Sequence, residues 1–235
     1  MKLFRFFGMA VIAICLCANF TACSKDDDAN GGGNTAEKRL TKIAIDENVF
    51  YVFIYDNQGR LVEARSDIYG RDTYKWKDDA IDVYYDGKYN STYNLTNGLV
   101  SNRYRPSEPS QYQYEYYTYN IEGRLVDGIV WEGDKLISMV GWSDFEVTYT
   151  YNNTTCKSGY YPLFVESSLF MANPEIFGMK TNQLPISCKG VPGGHIQAEE
   201  FTETYEYEFD AEGYISKIIV KTGSGGTYSY SLTWN

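Results

Sequence analysis

Every second residue of Phe145–Tyr151 (F-E-V-T-Y-T-Y) is apolar or aromatic: Phe145, Val147, Tyr149 and Tyr151 fall on one side, and Glu146, Thr148 and Thr150 on the other. Tyr205, Tyr207 and Phe209 alternate in the same way with Thr204, Glu206 and Glu208. So do Tyr228, Tyr230, Leu232 and Trp234 with Thr227, Ser229, Ser231 and Thr233. Side chains of an extended strand point alternately to opposite faces, so period two gives one packed face and one wet face. Wound into helices, these segments would spread their rings around the whole girth and bury none of them well. The chain is therefore constrained to half-buried antiparallel strands. In Y-Q-Y-E-Y-Y-T-Y the alternation slips phase at Tyr116–Tyr117, as at a β-bulge.

Turn chemistry punctuates these runs. Y-D-N-Q-G-R-L-V-E (Tyr55–Glu63) returns as Y-N-I-E-G-R-L-V-D (Tyr119–Asp127) and, more loosely, as F-D-A-E-G-Y-I-S-K (Phe209–Lys217). An Asp or Asn opens each bend through its side-chain oxygen, and Gly supplies a positive φ at its end. Leu61 and Leu125 then drop into the core of the returning strand. A calcium loop is the rival reading of Asp56, Asn57 and Gly59, but the later ligands and terminal Glu of such a loop are missing. With 23 Tyr, 12 Phe and 4 Trp in 235 residues, the expected fold is all-β. It is a curved or near-closed antiparallel meander of about eight to twelve strands. Pro162–Ser187 lacks period two. Ser167 or Ser168 and the Asn173–Pro174 pair are helix starts, and Gly178 is a stop. A short helical insertion near 163–180 is expected to plug an open end of the sheet.

The N-terminus is not part of the fold. Lys2 and Arg5 precede an apolar run, Phe6–Ala18, too short to span a bilayer core of about 30 Å; this is the form of a signal peptide. The run closes on F-T-A-C, and Thr21–Ala22 before Cys23 resembles the lipobox of bacterial lipoproteins, in which the cysteine thiol is acylated and becomes the mature N-terminus. Ser24–Asp28 (S-K-D-D-D) resembles the surface-export signal of Bacteroidetes lipoproteins. Three segments follow: residues 1–22 as signal peptide, 23–39 as lipidated cysteine and flexible acidic, Gly-rich tether, and 40–235 as one β domain. Membrane attachment is then through the lipid, with an outer-membrane, surface-facing address. Loss of Lys2 and Arg5 takes the net charge from −10 to −12, a field that repels a phosphate backbone and excludes nucleic acid as a partner. Cys156 and Cys188 are the cysteines left after Cys15 and Cys17 are cleaved off and Cys23 is acylated. In an exported protein they are either a disulfide or two buried thiols.

Signals for chemistry are sparse. His195 is the one histidine; no G-x-S-x-G elbow marks a nucleophile for it, and no H-E-x-x-H or P-loop occurs. No metal or cofactor is expected, and no catalytic residue is assigned. Paired carboxylates acting on an extracellular polysaccharide are the enzymatic alternative. Aromatic rings offer a better functional idea, because Tyr and Trp stack on apolar faces while their polar edges tolerate water. Trp76, Tyr84, Tyr85, Tyr114, Trp131 and Trp142 are the candidate ligand-facing rings, with Tyr89, Tyr93, Tyr104 and Tyr112 beside them. An integral outer-membrane barrel shows the same alternation, but needs strands of about 9–11 residues.

Across residues 40–235, the repeated Y-x-Y-[DN]-x-x-G-R-L hairpins, the central S-L-F…N…F insertion, K-T-N-Q-L-P and Y-E-Y-E-F-D-A-E-G-Y-I-S-K-I resemble a domain family of unknown function in Bacteroidetes lipoproteins. The turn units also resemble the YD-type repeats of secreted bacterial shells. The first resemblance implies a porin-like curved antiparallel sheet and brings no catalytic residues. The expectation is a non-catalytic binding or structural module whose partner is a glycan or an envelope protein.

Overall fold

The alternating segments pair as strands. The computed structural model describes residues 13–14, 38–45, 48–140, 145–157, 160–161, 167–179, 181–193 and 198–235. The first eight strands are β1 (Leu40–Ile45), β2 (Asn48–Tyr55), β3 (Leu61–Ser66), β4 (Gly70–Trp76), β5 (Ala80–Tyr85), β6 (Lys88–Thr96), β7 (Leu99–Tyr104) and β8 (Tyr114–Tyr116). The second run is β9 (Ile129–Glu132), β10 (Lys135–Val140), β11 (Phe145–Thr155), β12 (Gln183–Pro192), β13 (Phe201–Phe209), β14 (Ile215–Thr222) and β15 (Thr227–Trp234). All fifteen lie in one antiparallel sheet of order β9 to β15, then β1 to β8. The chain starts mid-sheet, meanders to one edge, crosses to the other edge and returns, and β15 pairs with β1 through Leu232↔Ile43 and its neighbours. A separate two-residue ladder joins Ala13–Ile14 to Tyr160–Tyr161.

The two edges face each other. Between β8 and β9, the segment 117–128 makes a small hairpin with one isolated bridge, Tyr119↔Leu125. Tyr117 N donates to Ser101 O at 3.1 Å on one flank, and Val140 N donates to Gly128 O at 2.7 Å on the other. The sheet is therefore curled almost into a ring, and the ladder stops short of closure. Its fifteen strands exceed the eight to twelve expected, and two of them, β8 and β9, are only 3 and 4 residues long. Strands so short show too little alternation to count.

Antiparallel order puts successive connections at alternate ends of the ring. One end collects all three repeated turns, at 56–60, 120–124 and 210–214. Asp56 Oδ1 accepts the amides of Gln58 and Arg60, Asn120 Oδ1 those of Glu122 and Arg124, and Asp210 Oδ1 those of Glu212 and Tyr214, all at 2.9–3.0 Å. These oxygens are occupied by their own turns, so the repeat reverses the chain rather than holding an ion. The chain also enters here: Lys38 pairs with Glu212 at 2.5 Å, and Arg39 and Asn235 exchange backbone hydrogen bonds.

Aromatic tips seal this end. Tyr55, Tyr119 and Tyr151 hydroxyls donate to the carbonyls of Leu40, Val100 and Leu136 at 2.7–2.8 Å. The indoles of Trp76, Trp131 and Trp234 donate to Leu61, Leu125 and Ile215 at 2.7–2.8 Å. Each ring packs against the core while its polar atom satisfies a carbonyl of another strand or of the closing hairpin. Tyr55→Phe keeps the ring and loses one such bond, so urea unfolding should show a loss of about 0.5–1.5 kcal/mol with an unchanged m value.

The ring is apolar inside. Along β13, Glu203 and Tyr205 are buried while Thr202, Thr204, Glu206 and Glu208 are exposed; along β15, Tyr230 and Leu232 are buried while Ser231 and Thr233 are exposed. The expected helical insertion fills the interior. After β11, α1 (Ser168–Ala172) and a 3-10 turn (Pro174–Phe177) enter from the turn end, and every residue of α1 is buried. Phe177 meets Phe170, Tyr93 and Tyr117 at ring-centroid distances of 4.7, 5.6 and 6.0 Å.

Candidate functional site

The plug does not fill the ring completely. A cavity of about 830 Å³ remains between the plug and the inner wall of β4–β8, at the end opposite the repeated turns. That volume is within the range of small-molecule sites. Phe170, Met171 and Phe177 of the plug form its floor. Ile68, Tyr69, Tyr85, Tyr116 and Val140 line it and are exposed, so they form the mouth.

Strand parity brings the polar groups inward. Asp72 and Tyr74 lie two apart on β4, facing Tyr85 and Val83 of β5. On β7, Arg103 faces Tyr93 on one side and Glu115 on the other, and Arg105 follows two residues on. Ser168 of the plug donates to Asp72 Oδ2 at 2.7 Å, and the Tyr74 hydroxyl is bonded to Ser168 Oγ. Burial lifts the Asp72 carboxyl above its usual range, against the pull of Ser168, Tyr74 and Arg103. The Arg103 guanidinium lies over the Tyr93 ring at 5.0 Å, and its Nε reaches Ser91 Oγ at 3.3 Å. Among the described residues no carboxylate lies within ion-pair distance of Arg103. Arg105 Nη2 pairs with Glu115 Oε2 at 3.4 Å, and Arg105 Nε is buried without a hydrogen bond. Buried polar atoms are costly when unpaired, so the wall offers an unmet donor, Arg105 Nε, and polar side chains beside aromatic rings. A hydroxylated ligand with apolar faces satisfies both.

A second interior cluster lies across β12, β13 and β15. Glu203 is 2 % exposed; Tyr228 OH donates to its Oε1 at 2.8 Å, and Tyr205 OH sits between Oε2 (3.0 Å) and Cys188 Sγ (2.9 Å). Burial raises the Glu203 carboxyl, and the two tyrosine bonds offset only part of that. A carboxyl whose folded value is raised confers stability that is full below the unfolded value and lost as pH rises through the folded one. Glu203→Gln should therefore be more stable than the parent at pH 7, with the difference vanishing below about pH 4, as read by thermal melts across pH.

Cys156 and Cys188 are buried and not bonded to each other, the second of the two states the sequence left open. Cys188 faces Tyr149 on β11, whereas Cys156 N bonds Asn182 O before β12 begins. Six residues of extended chain separate those levels, about 20 Å, far beyond the reach of a bridge. Burial pushes the Cys188 thiol up to about 12, the state of an inert core cysteine.

The structure divides the six candidate rings. Tyr85 stands at the cavity mouth. Trp76 and Trp131 are half-buried clasps bonded to carbonyls. Tyr84 is on the outer face under Lys75 Nζ at 4.3 Å, and Tyr114 is on the outer face between Tyr104 and Tyr116. Trp142, Cys23 and His195 lie outside the described residues. Sequence reasoning did not single out Asp72, Tyr74, Arg103, Arg105 or Glu115, and it placed Tyr117 at a bulge and Ser168 at a helix start rather than in a site. The two-residue spacings Asp72/Tyr74 and Arg103/Arg105 were the available signal.

No family model matches the chain, and no curated protein matches it. Among solved structures, a porin-like protein from Bacteroides vulgatus is similar with a TM-score of 0.57 at 15% identity, over 84% of this chain and 99% of that one. A porin-like protein from Bacteroides uniformis has a TM-score of 0.51 at 15% identity, over 83% and 98%. The likeness is one of fold. It extends over nearly the whole of both Bacteroides chains, as expected for a curved sheet rather than a shared fragment.

Proposed function

We propose that this protein is a lipid-anchored, surface-facing binding module of the outer membrane whose end cavity takes a glycan, without catalysing a reaction on it. The observation that carries this reading is the aromatic-walled cavity with the unmet Arg105 Nε and the Arg103 guanidinium in its wall. Acylation at Cys23 supplies the anchor, and the tether reaches the ring at Lys38, on the end of the repeated turns. The cavity mouth is at the other end from the tether. The Bacteroides neighbours, described as porin-like, lend support to an outer-membrane address. A ring standing in water is favoured over a ring threaded through lipid: a spanning barrel needs an apolar outer band, whereas β13 turns Thr202, Thr204, Glu206 and Glu208 outward.

Saturation-transfer NMR of the purified protein with a panel of glycans tests the reading. Transfer is expected with no release of reducing ends, and it should fall at least tenfold in Arg103→Ala. Release of reducing ends that disappears in Asp72→Asn would replace the binding module with the carboxylate enzyme. Cys23→Ser should move the protein from the membrane to the soluble fraction.

A further inference from the structure

The cavity has a floor and opens at the end opposite the repeated turns. Phe170, Met171 and Phe177 block it from below, and the strands of the ring wall it at the sides. A long polymer cannot thread past the plug, so only a chain end reaches the floor. Its charges also restrict the ligand. Two guanidiniums, Arg103 and Arg105, face four carboxyl groups, Asp72, Glu108, Glu115 and Asp127, in a protein that is itself strongly acidic. Glu115 is paired with Arg105, while Glu108 and Asp127 stand exposed at the rim, so a ligand carboxylate meets like charge on its way in, which discriminates against it.

The geometry points to a site that reads the terminal ring of a neutral glycan. This inference rests on the glycan reading above and narrows it. The last sugar enters the cavity, and its apolar face lies against Tyr117. Its hydroxyls meet the acceptors of Asp72 and Glu115 and the donors of Arg103 and Arg105. The rest of the chain leaves across Tyr69 and Tyr85 at the mouth. Most of the affinity then resides in one ring, because only that ring is desolvated on all sides.

The test is saturation-transfer NMR and calorimetry on the intact protein. The probes are glucose, galactose, mannose, N-acetylglucosamine, fucose and xylose, together with glucuronate, galacturonate and linear neutral oligosaccharides built from the same sugars. At least one neutral monosaccharide should bind, with its uronate weaker by about tenfold or more. In the matching oligosaccharide the strongest transfer should fall on one terminal ring, and affinity should level off after a few rings. Transfer spread evenly over internal rings, or uronates that bind as well as neutral sugars, would overturn end reading while leaving glycan binding intact. Silence across the whole panel would remove the glycan reading and this inference with it. Tyr85→Ala separates the parts further: monosaccharide affinity should hold and oligosaccharide affinity fall, whereas an equal loss of both argues against an outgoing chain at that rim.

Discussion

Phe177→Ala should lower the free energy of unfolding by about 3–5 kcal/mol, read as a shift of the urea midpoint at constant m value. Phe177 is 2 % exposed and is the meeting point of the plug's Phe170 with Tyr93 of β6 and Tyr117 beside the closing hairpin. Its removal leaves a hole in a ring of strands, which collapses poorly because each strand is held by its neighbours on both sides. The same hole joins the floor of the cavity, so ligand affinity should fall together with stability. A loss below about 1 kcal/mol would mean that the insertion is a passenger and that the ring stands without it.

Gly178→Ala should cost about 2–5 kcal/mol, by a different route. Gly178 ends the 3-10 turn at φ +63, and a Cβ there would lie 2.2 Å from Gly123 O, 3.0 Å from the Tyr119 ring and 3.1 Å from Leu125 N. The left-handed backbone accounts for about 1–2 kcal/mol of that, and the forced displacement of plug or hairpin for about 1–3 kcal/mol. Those neighbours form the hairpin that carries the one isolated bridge across the gap in the sheet. Plug and closure are thus coupled at this glycine. Gly133→Ala is the control: it has a similar φ of +57 but nothing within 4 Å of its Cβ position, so it should show the backbone cost alone. Equal losses at the two positions would mean that the contact between plug and hairpin does not hold the ring together.

The strands were legible where alternation persists, as in Phe145–Tyr151 and Thr227–Trp234, and so was the turn written three times around Gly59, Gly123 and Gly213. The insertion stood out for the opposite reason, a loss of period two bounded by Asn173–Pro174 and Gly178. The candidate site was hardly legible. Trp76 and Trp131 carry the same composition signal as a ligand platform, yet their indoles cap Leu61 and Leu125. Asp72 and Arg103 read as ordinary polar members of half-wet strands, because parity tells which residues share a face and not which face is inside. Glu203 shares parity with Tyr205 and Tyr207, a hint of its burial that average residue preferences hide. The Cys156–Cys188 spacing allowed a bridge until the β11–β12 register set the two about 20 Å apart.

By itself the sequence determined the local part of this protein: strands of period two, glycine-ended reversals, and a helical interruption between β11 and β12. These depend on backbone sterics and on contacts between near neighbours, which a short stretch of residues specifies completely. Tertiary structure alone decided that the sheet curls until a hairpin bridges the gap between its edges, that the plug enters from the turn end, and that Ser168 reaches Asp72 across 96 residues. Such placements sum small twists over fifteen strands and weigh burial against unmet polar groups throughout the interior. No local pattern records that sum, so the cavity and its orientation emerge only when the ring is assembled.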